Sequence, residues 1–126
     1  MPLSHGKVEV SLEGNVISAV FIGSFNAESV CEYGNTVKSI VMSLEDRSFV
    51  MLIDNTKLDG GTPEAFSELE AINAWVNNTR LKAKAFIINC EINKQIMLHR
   101  TPSLALQNVN FFSTHQEANA WLEKFI

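Results

Sequence analysis

Polar and apolar residues alternate from Lys7 to Leu12 (KVEVSL), a period of two that predicts a strand with one covered face. Glu13-Gly14-Asn15 supplies turn residues, and Val16 to Ile22 resumes as a second strand, so the chain opens with a hairpin. Gly23 ends it. Asn26 is positioned to cap a helix in which Val30, Val37, Ile40, Val41 and Leu44 recur at helical spacing through to Asp46. Phe49 to Ile53 is apolar without alternation, as expected of a central strand covered on both faces.

After Ile53 the residues predict a tight polar loop running from Asp54 to Thr62. Gly60 and Gly61 permit a sharp bend, Thr62 is the N-cap of the next helix and Pro63 its first position. Backbone N–H groups would ring such a loop, which is the usual address of a binding site in an open α/β domain. Phe66, Leu69, Ile72 and Val76 form the buried stripe of the helix that follows. Ala83 to Cys90 reads as a second central strand. Ile92, Ile96 and Met97 suggest a short helix that finishes before Pro102, and Val109 to Phe112 is a final short strand. Thr114 with Glu117 makes a capping box, and Ala118, Trp121, Leu122 and Phe125 turn the last helix toward the sheet. The string ββαβαβαβα predicts one α/β domain over residues 1–126. Its five-stranded sheet is mixed and mostly parallel, with an antiparallel N-terminal hairpin and about four helices.

Composition narrows the functions open to this fold. The chain has 126 residues, 46% of them hydrophobic, and no run approaches the roughly 20 apolar residues of a membrane span. An integral membrane protein is not expected. The start, MPLSHGKVEV, lacks the basic and apolar segments of a secretory signal, which points to the cytoplasm. A net charge of −4 argues against nucleic acid as a partner. The nearest basic feature is Arg80, Lys82 and Lys84, whose alternation predicts a solvated or edge-protecting face. Cys31 and Cys90 stand outside any CxxC spacing and read as small buried hydrophobes.

Candidate chemistry is sparse. Asp54, at the end of an apolar strand, invites a reading as an aspartate nucleophile for phosphoryl transfer, but Thr56 stands where a second carboxylate would serve as general acid. His5, His99 and His115 share no metal-ligand spacing, so no metal site is expected. Trp75 and Trp121 lie on helical stripes, where packing explains them. Thr62 is the hydroxyl beside the glycines, so a phosphate there would sit at a helix N-terminus. Ile96, Met97 and Arg100, in the mixed basic and apolar segment 92–106, form either a candidate oligomer surface or a cover for the core.

Taken with this order of elements, GSFN at Gly23 to Asn26, the strand FVMLID running into LDGGT, and the closing FFSTHQEANAWL resemble the SpoIIAA-like proteins. These are relatives of the STAS, or anti-sigma-factor antagonist, domain. The closing signature is carried by Phe112, Glu117, Ala118, Trp121 and Leu122. The resemblance implies a mixed sheet wrapped by helices and, in regulatory members, a binding surface around the loop after the central strand. There the family carries D-S-x-G, whose serine is phosphorylated by a partner kinase. The corresponding residues are Asp59-Gly60-Gly61-Thr62, and Gly60 in the serine position has no side chain to phosphorylate.

The resemblance therefore implies a non-enzymatic regulatory or binding module without the serine switch, and no cofactor. Its partner is a protein or a small anionic ligand, met by Asp54, Asn55, Asp59, Gly60, Gly61 and Thr62, while a second copy of the chain would meet the surface of Ile96, Met97 and Arg100. Two alternatives stand beside it: a small phosphohydrolase that depends on Asp54, and a lipid- or membrane-surface-associated module. The second follows from the superfamily's likeness to lipid-carrying Sec14-type domains, although the chain is short for enclosing a lipid.

Overall fold

A computed structural model describes residues 6–126; His5 lies outside them. The hairpin forms as β1 (Lys7–Glu13) and β2 (Val16–Phe25), antiparallel and in register from Lys7 against Ile22 to Glu13 against Val16. Then come α1 (Ala27–Ser43), β3 (Phe49–Gly61), α2 (Pro63–Asn77), β4 (Leu81–Ile87), α3 (Glu91–Arg100), β5 (Val109–Phe112) and α4 (His115–Leu122). The sheet has the order β1-β2-β3-β4-β5, with every pairing after the hairpin parallel. The predicted mixed five-stranded α/β sheet with four α-helices is the observed one.

Period-two alternation divides the strands between two cores. Phe49, Met51 and Ile53 of β3, with Phe86 of β4, face a core completed by Val30, Tyr33 and Val37 of α1, Ile72 and Val76 of α2 and Met97 of α3. Val50 and Leu52, with Ala83, Ala85 and Ile87, face the other side, where Ala118 and Leu122 of α4 cover them. The three crossover helices thus share one face and α4 alone occupies the other. With strands in sequential order the crossovers never reverse, so the switch-point crevice expected of an open α/β sheet is not formed.

Local chemistry explains the helix limits. Asn26 Oδ1 accepts from the Ser29 N–H at 2.9 Å while Ser29 Oγ accepts from the Asn26 N–H at 3.1 Å, a reciprocal cap. The helix α1 ends at Ser43, earlier than the apolar spacing suggests, because Glu45 and Asp46 turn into the left-handed region at φ 50° and 69°. Buried Gly34 lets α2 approach closely: a Cβ there would stand 2.6 Å from Ile72 Cδ1. Past α3, a short 3₁₀ turn at Pro102–Leu106 is tied to α2, since Ser103 Oγ and N–H donate to the Glu70 carboxylate and Asn77 Nδ2 donates to the Ser103 carbonyl at 2.8 Å. No helix among the described residues is long and apolar enough to cross a membrane.

Candidate functional site

The segment Asp54–Thr62 is not a tight loop. β3 continues to Gly61, and beyond Asp54, paired with Ile87 of β4, its strand partner is β2 alone, out to Phe25 against Gly61. Register shifts between Val20 and Ile22 and between Gly23 and Ser24 keep β2 abreast of it, and the Thr62 N–H donates to the Phe25 carbonyl at 3.0 Å. The predicted loop is therefore a two-stranded ribbon projecting past the end of β4. Gly60 sits at φ 146°, a backbone shape that side chains disfavour, but the chain stays extended through it and the predicted sharp bend is not formed. Thr62 Oγ1 accepts from the Ala65 N–H at 3.1 Å and Pro63 opens α2, as the sequence predicts.

Alternation sends neighbouring candidates to opposite faces. Asp54 points to the α4 side, and Asn55 to the side of α1 and α2, where it lines a cavity. Both are buried, at 9% and 3% exposure, whereas Asp59, Gly61 and Thr62 are exposed. The six candidates thus do not make one solvent-facing loop.

Asp54 is held from three directions. The Thr56 N–H and Oγ1–H donate to its Oδ1 at 2.9 and 2.7 Å, and His115 Nε2 lies 2.9 Å from its Oδ2. Burial alone would raise its pKa. The two bonds from Thr56 and the hydrogen bond and charge of His115 outweigh that and hold the carboxyl below its usual value. An acceptor-only carboxylate requires His115 to donate from Nε2. With both oxygens engaged, Asp54 is set as an anchor joining β3 to the first turn of α4 rather than as a free nucleophile. Among the described residues no three His, Cys, Asp or Glu side chains are grouped to hold a metal ion.

Lys84 overturns the expectation of a solvated basic face. Arg80 and Lys82 are exposed, but Lys84 is 2% exposed and its Nζ donates to Asn73 Oδ1 of α2 at 3.0 Å. It sits on the helix-covered side of β4 beside Phe86, and desolvation pushes its pKa down to about 8. Lys84 and Asn73 lie at one wall of a cavity of about 40 Å³, otherwise lined largely by Phe21, Phe25, Leu58 and Phe66 with Gly60 and Gly61 of the ribbon. A buried ammonium opposite a helix asparagine was not visible in the sequence. The signal that existed was the strand alternation, which puts Lys84 in phase with Phe86.

Three further expectations change. Met97 is 4% exposed and belongs to the core, because the inner side of α3 packs on the sheet, while Ile96 and Arg100 remain exposed. Arg100 lies over the Phe66 ring at 5.8 Å from its centroid. Cys31 and Cys90 are exposed, Cys31 on the outer side of α1 and Cys90 at the N-cap of α3, so neither fills the core. His99 is exposed, and His115 alone of the described histidines meets another candidate.

No family model matches this sequence, nor does any curated protein. Solved structures do match over nearly the whole chain. An uncharacterised protein of the DUF3478 family from Shewanella loihica, with a SpoIIAA-like fold, superposes with a TM-score of 0.71 at 19% identity, covering 97% of both chains. An anti-sigma factor antagonist from Mycobacterium paratuberculosis gives 0.66 at 10% identity over 94% of each chain. Unphosphorylated SpoIIAA, an anti-sigma factor antagonist, gives 0.62 at 5% identity over 95% of this chain and 100% of its own. Together with the sheet order, the antiparallel hairpin and the four helices, these likenesses identify the architecture: the chain has the SpoIIAA-like fold.

Proposed function

We propose that this chain is a non-enzymatic cytoplasmic regulatory module that binds a protein partner through the tip of the β2–β3 ribbon and the start of α2, without a serine phospho-switch. One observation carries the reading. The ribbon runs past the end of β4 and presents Asp59, Gly61 and Thr62 to solvent at a helix N-terminus, a rigid and polar surface of the kind that protein partners dock on. The anti-sigma factor antagonists among the structural neighbours lend it support. The absence of a hydroxyl at Gly60 argues that binding here is constitutive or controlled elsewhere, with Thr62 the remaining candidate for phosphorylation.

Affinity capture from a lysate of the native cell, comparing wild type with Thr62→Asp, tests the surface. Aspartate caps a helix as well as threonine does, so α2 stays intact while a charge is added at the surface. Loss of a specific captured protein with unchanged melting supports the reading. Equal capture by both proteins, or no specific protein with either, counts against it.

A further inference from the structure

We infer that the cavity beneath the β2–β3 ribbon is a binding site for a short-chain monocarboxylate, its carboxylate held between Lys84 Nζ and Asn73 Nδ2 and its alkyl end against the surrounding aromatic rings. The inference does not rest on the protein-partner reading, although the ribbon, through Gly61, borders both sites.

The donors come first. Lys84 and Asn73 are both almost wholly buried, and among the described residues no carboxylate lies within ion-pair distance of Lys84. An ammonium has three N–H donors and no lone pair, so Asn73 must turn its oxygen toward Nζ. Its amide nitrogen then faces away, and Asn73 Nδ2 has no hydrogen-bond partner. Flipping the amide would set N–H against N–H and leave the cation without an acceptor. The polar wall is therefore rich in donors: the remaining N–H bonds of Nζ and both of Nδ2. Tyr33 also lines the cavity, and burial raises its pKa, which keeps the phenol a neutral O–H donor.

A buried cation without a counter-charge and a buried donor without an acceptor each cost free energy, and an anion with two acceptor oxygens relieves both at once. The other walls select the rest of the ligand. Phe21, Phe25, Leu58 and Phe66 offer nothing polar and Asn55 adds one neutral amide, so a second charge would be desolvated without return. Volume sets the size. At about 40 Å³ the space holds roughly three waters, which suits a carboxylate on a short alkyl chain. Gly60 and Gly61 flank the cavity, so the ribbon forms its lip.

The test uses the full chain with sodium butyrate, against sodium chloride at matched ionic strength and butanol at matched concentration. The methyl NMR signal of Met97, which lines the cavity, is followed through each titration. Saturable shifts with butyrate, absent with chloride and butanol, are expected. Lys84→Met should weaken binding roughly tenfold to a hundredfold, the loss of a charge-assisted hydrogen bond. Because that variant refills the cavity differently, Asn73→Asp is measured as well. It supplies Lys84 with an internal counter-ion and should abolish binding in a protein that still folds. Shifts with chloride or butanol equal to those with butyrate, no saturable shift with butyrate, or butyrate bound as tightly by either variant as by wild type would each overturn the inference.

Discussion

Asp54 Oδ2 and His115 Nε2 meet at 2.9 Å although they are separated by 61 residues, and the contact ties the middle of the sheet to the first turn of the last helix. It closes α4 over the face of β3 and β4 that α1, α2 and α3 leave uncovered. The contact also withdraws Asp54 from the surface, where the sequence expects it to act.

Acid should undo this tie. The folded-state pKa of Asp54 is lowered from 3.8, so the stability it contributes is fully present above that value and is lost as pH falls through the still lower folded value. Urea titrations from pH 6 downward should show wild-type stability falling below about pH 4. Asp54→Asn should be less stable by roughly 1–3 kcal/mol at neutral pH, with a flatter acid limb. Identical acid limbs for the two proteins would refute the assignment.

Lys84 predicts the opposite limb. Its pKa is lowered to about 8 in the fold, so between that value and about 10.4 the unfolded chain binds more protons and stability rises with pH. Below pH 8 the buried charge costs about 3 kcal/mol, an upper bound set by the shift. Lys84→Met should therefore remove the alkaline rise in stability. An alkaline rise of equal size in wild type and Lys84→Met would contradict this account of the cavity wall.

Gly34 and Ile72 should behave as a coupled pair. In the wild-type background Gly34→Ala forces its Cβ to within 2.6 Å of Ile72 Cδ1, and the overlap should outweigh the roughly 1 kcal/mol gained by removing a glycine from a helix. In an Ile72→Ala background the same change should stabilise. Denaturant unfolding of the four proteins should give a coupling of about 0.5–3 kcal/mol, and additivity would show that α1 and α2 are not in contact there.

Met97→Glu and Ile92→Glu separate core from surface on α3. Met97 is buried, so its replacement by glutamate should cost the core packing of its side chain, destabilise the protein and lower its melting temperature. Ile92 is 69% exposed, and its substitution should leave stability within about 0.5 kcal/mol. If α3 joins two copies of the chain, Ile92→Glu is the change that alters the mass in light scattering. Met97→Glu would report only unfolding.

What was legible in the sequence is what short-range chemistry dictates. The caps Asn26, Thr62 and Thr114 all act where their spacing places them, the alternation of β1 and the continuous apolar run of Phe49 to Ile53 are realised, and the element order carries the sheet. Each depends on residues a few positions apart, so a local pattern suffices to specify it. The candidate site was another matter. β3 reaches Gly61 because the bulged end of β2 supplies a partner, and pairing between strands separated by a helix leaves no trace in either strand alone. Strand period places Lys84 in phase with Phe86 but is silent on what covers that face; only the packing of α2 sets Asn73 against its ammonium. The meeting of His115 with Asp54 likewise depends on α4 crossing to the far side of the sheet, a choice made by the balance of two cores and by no residue on its own.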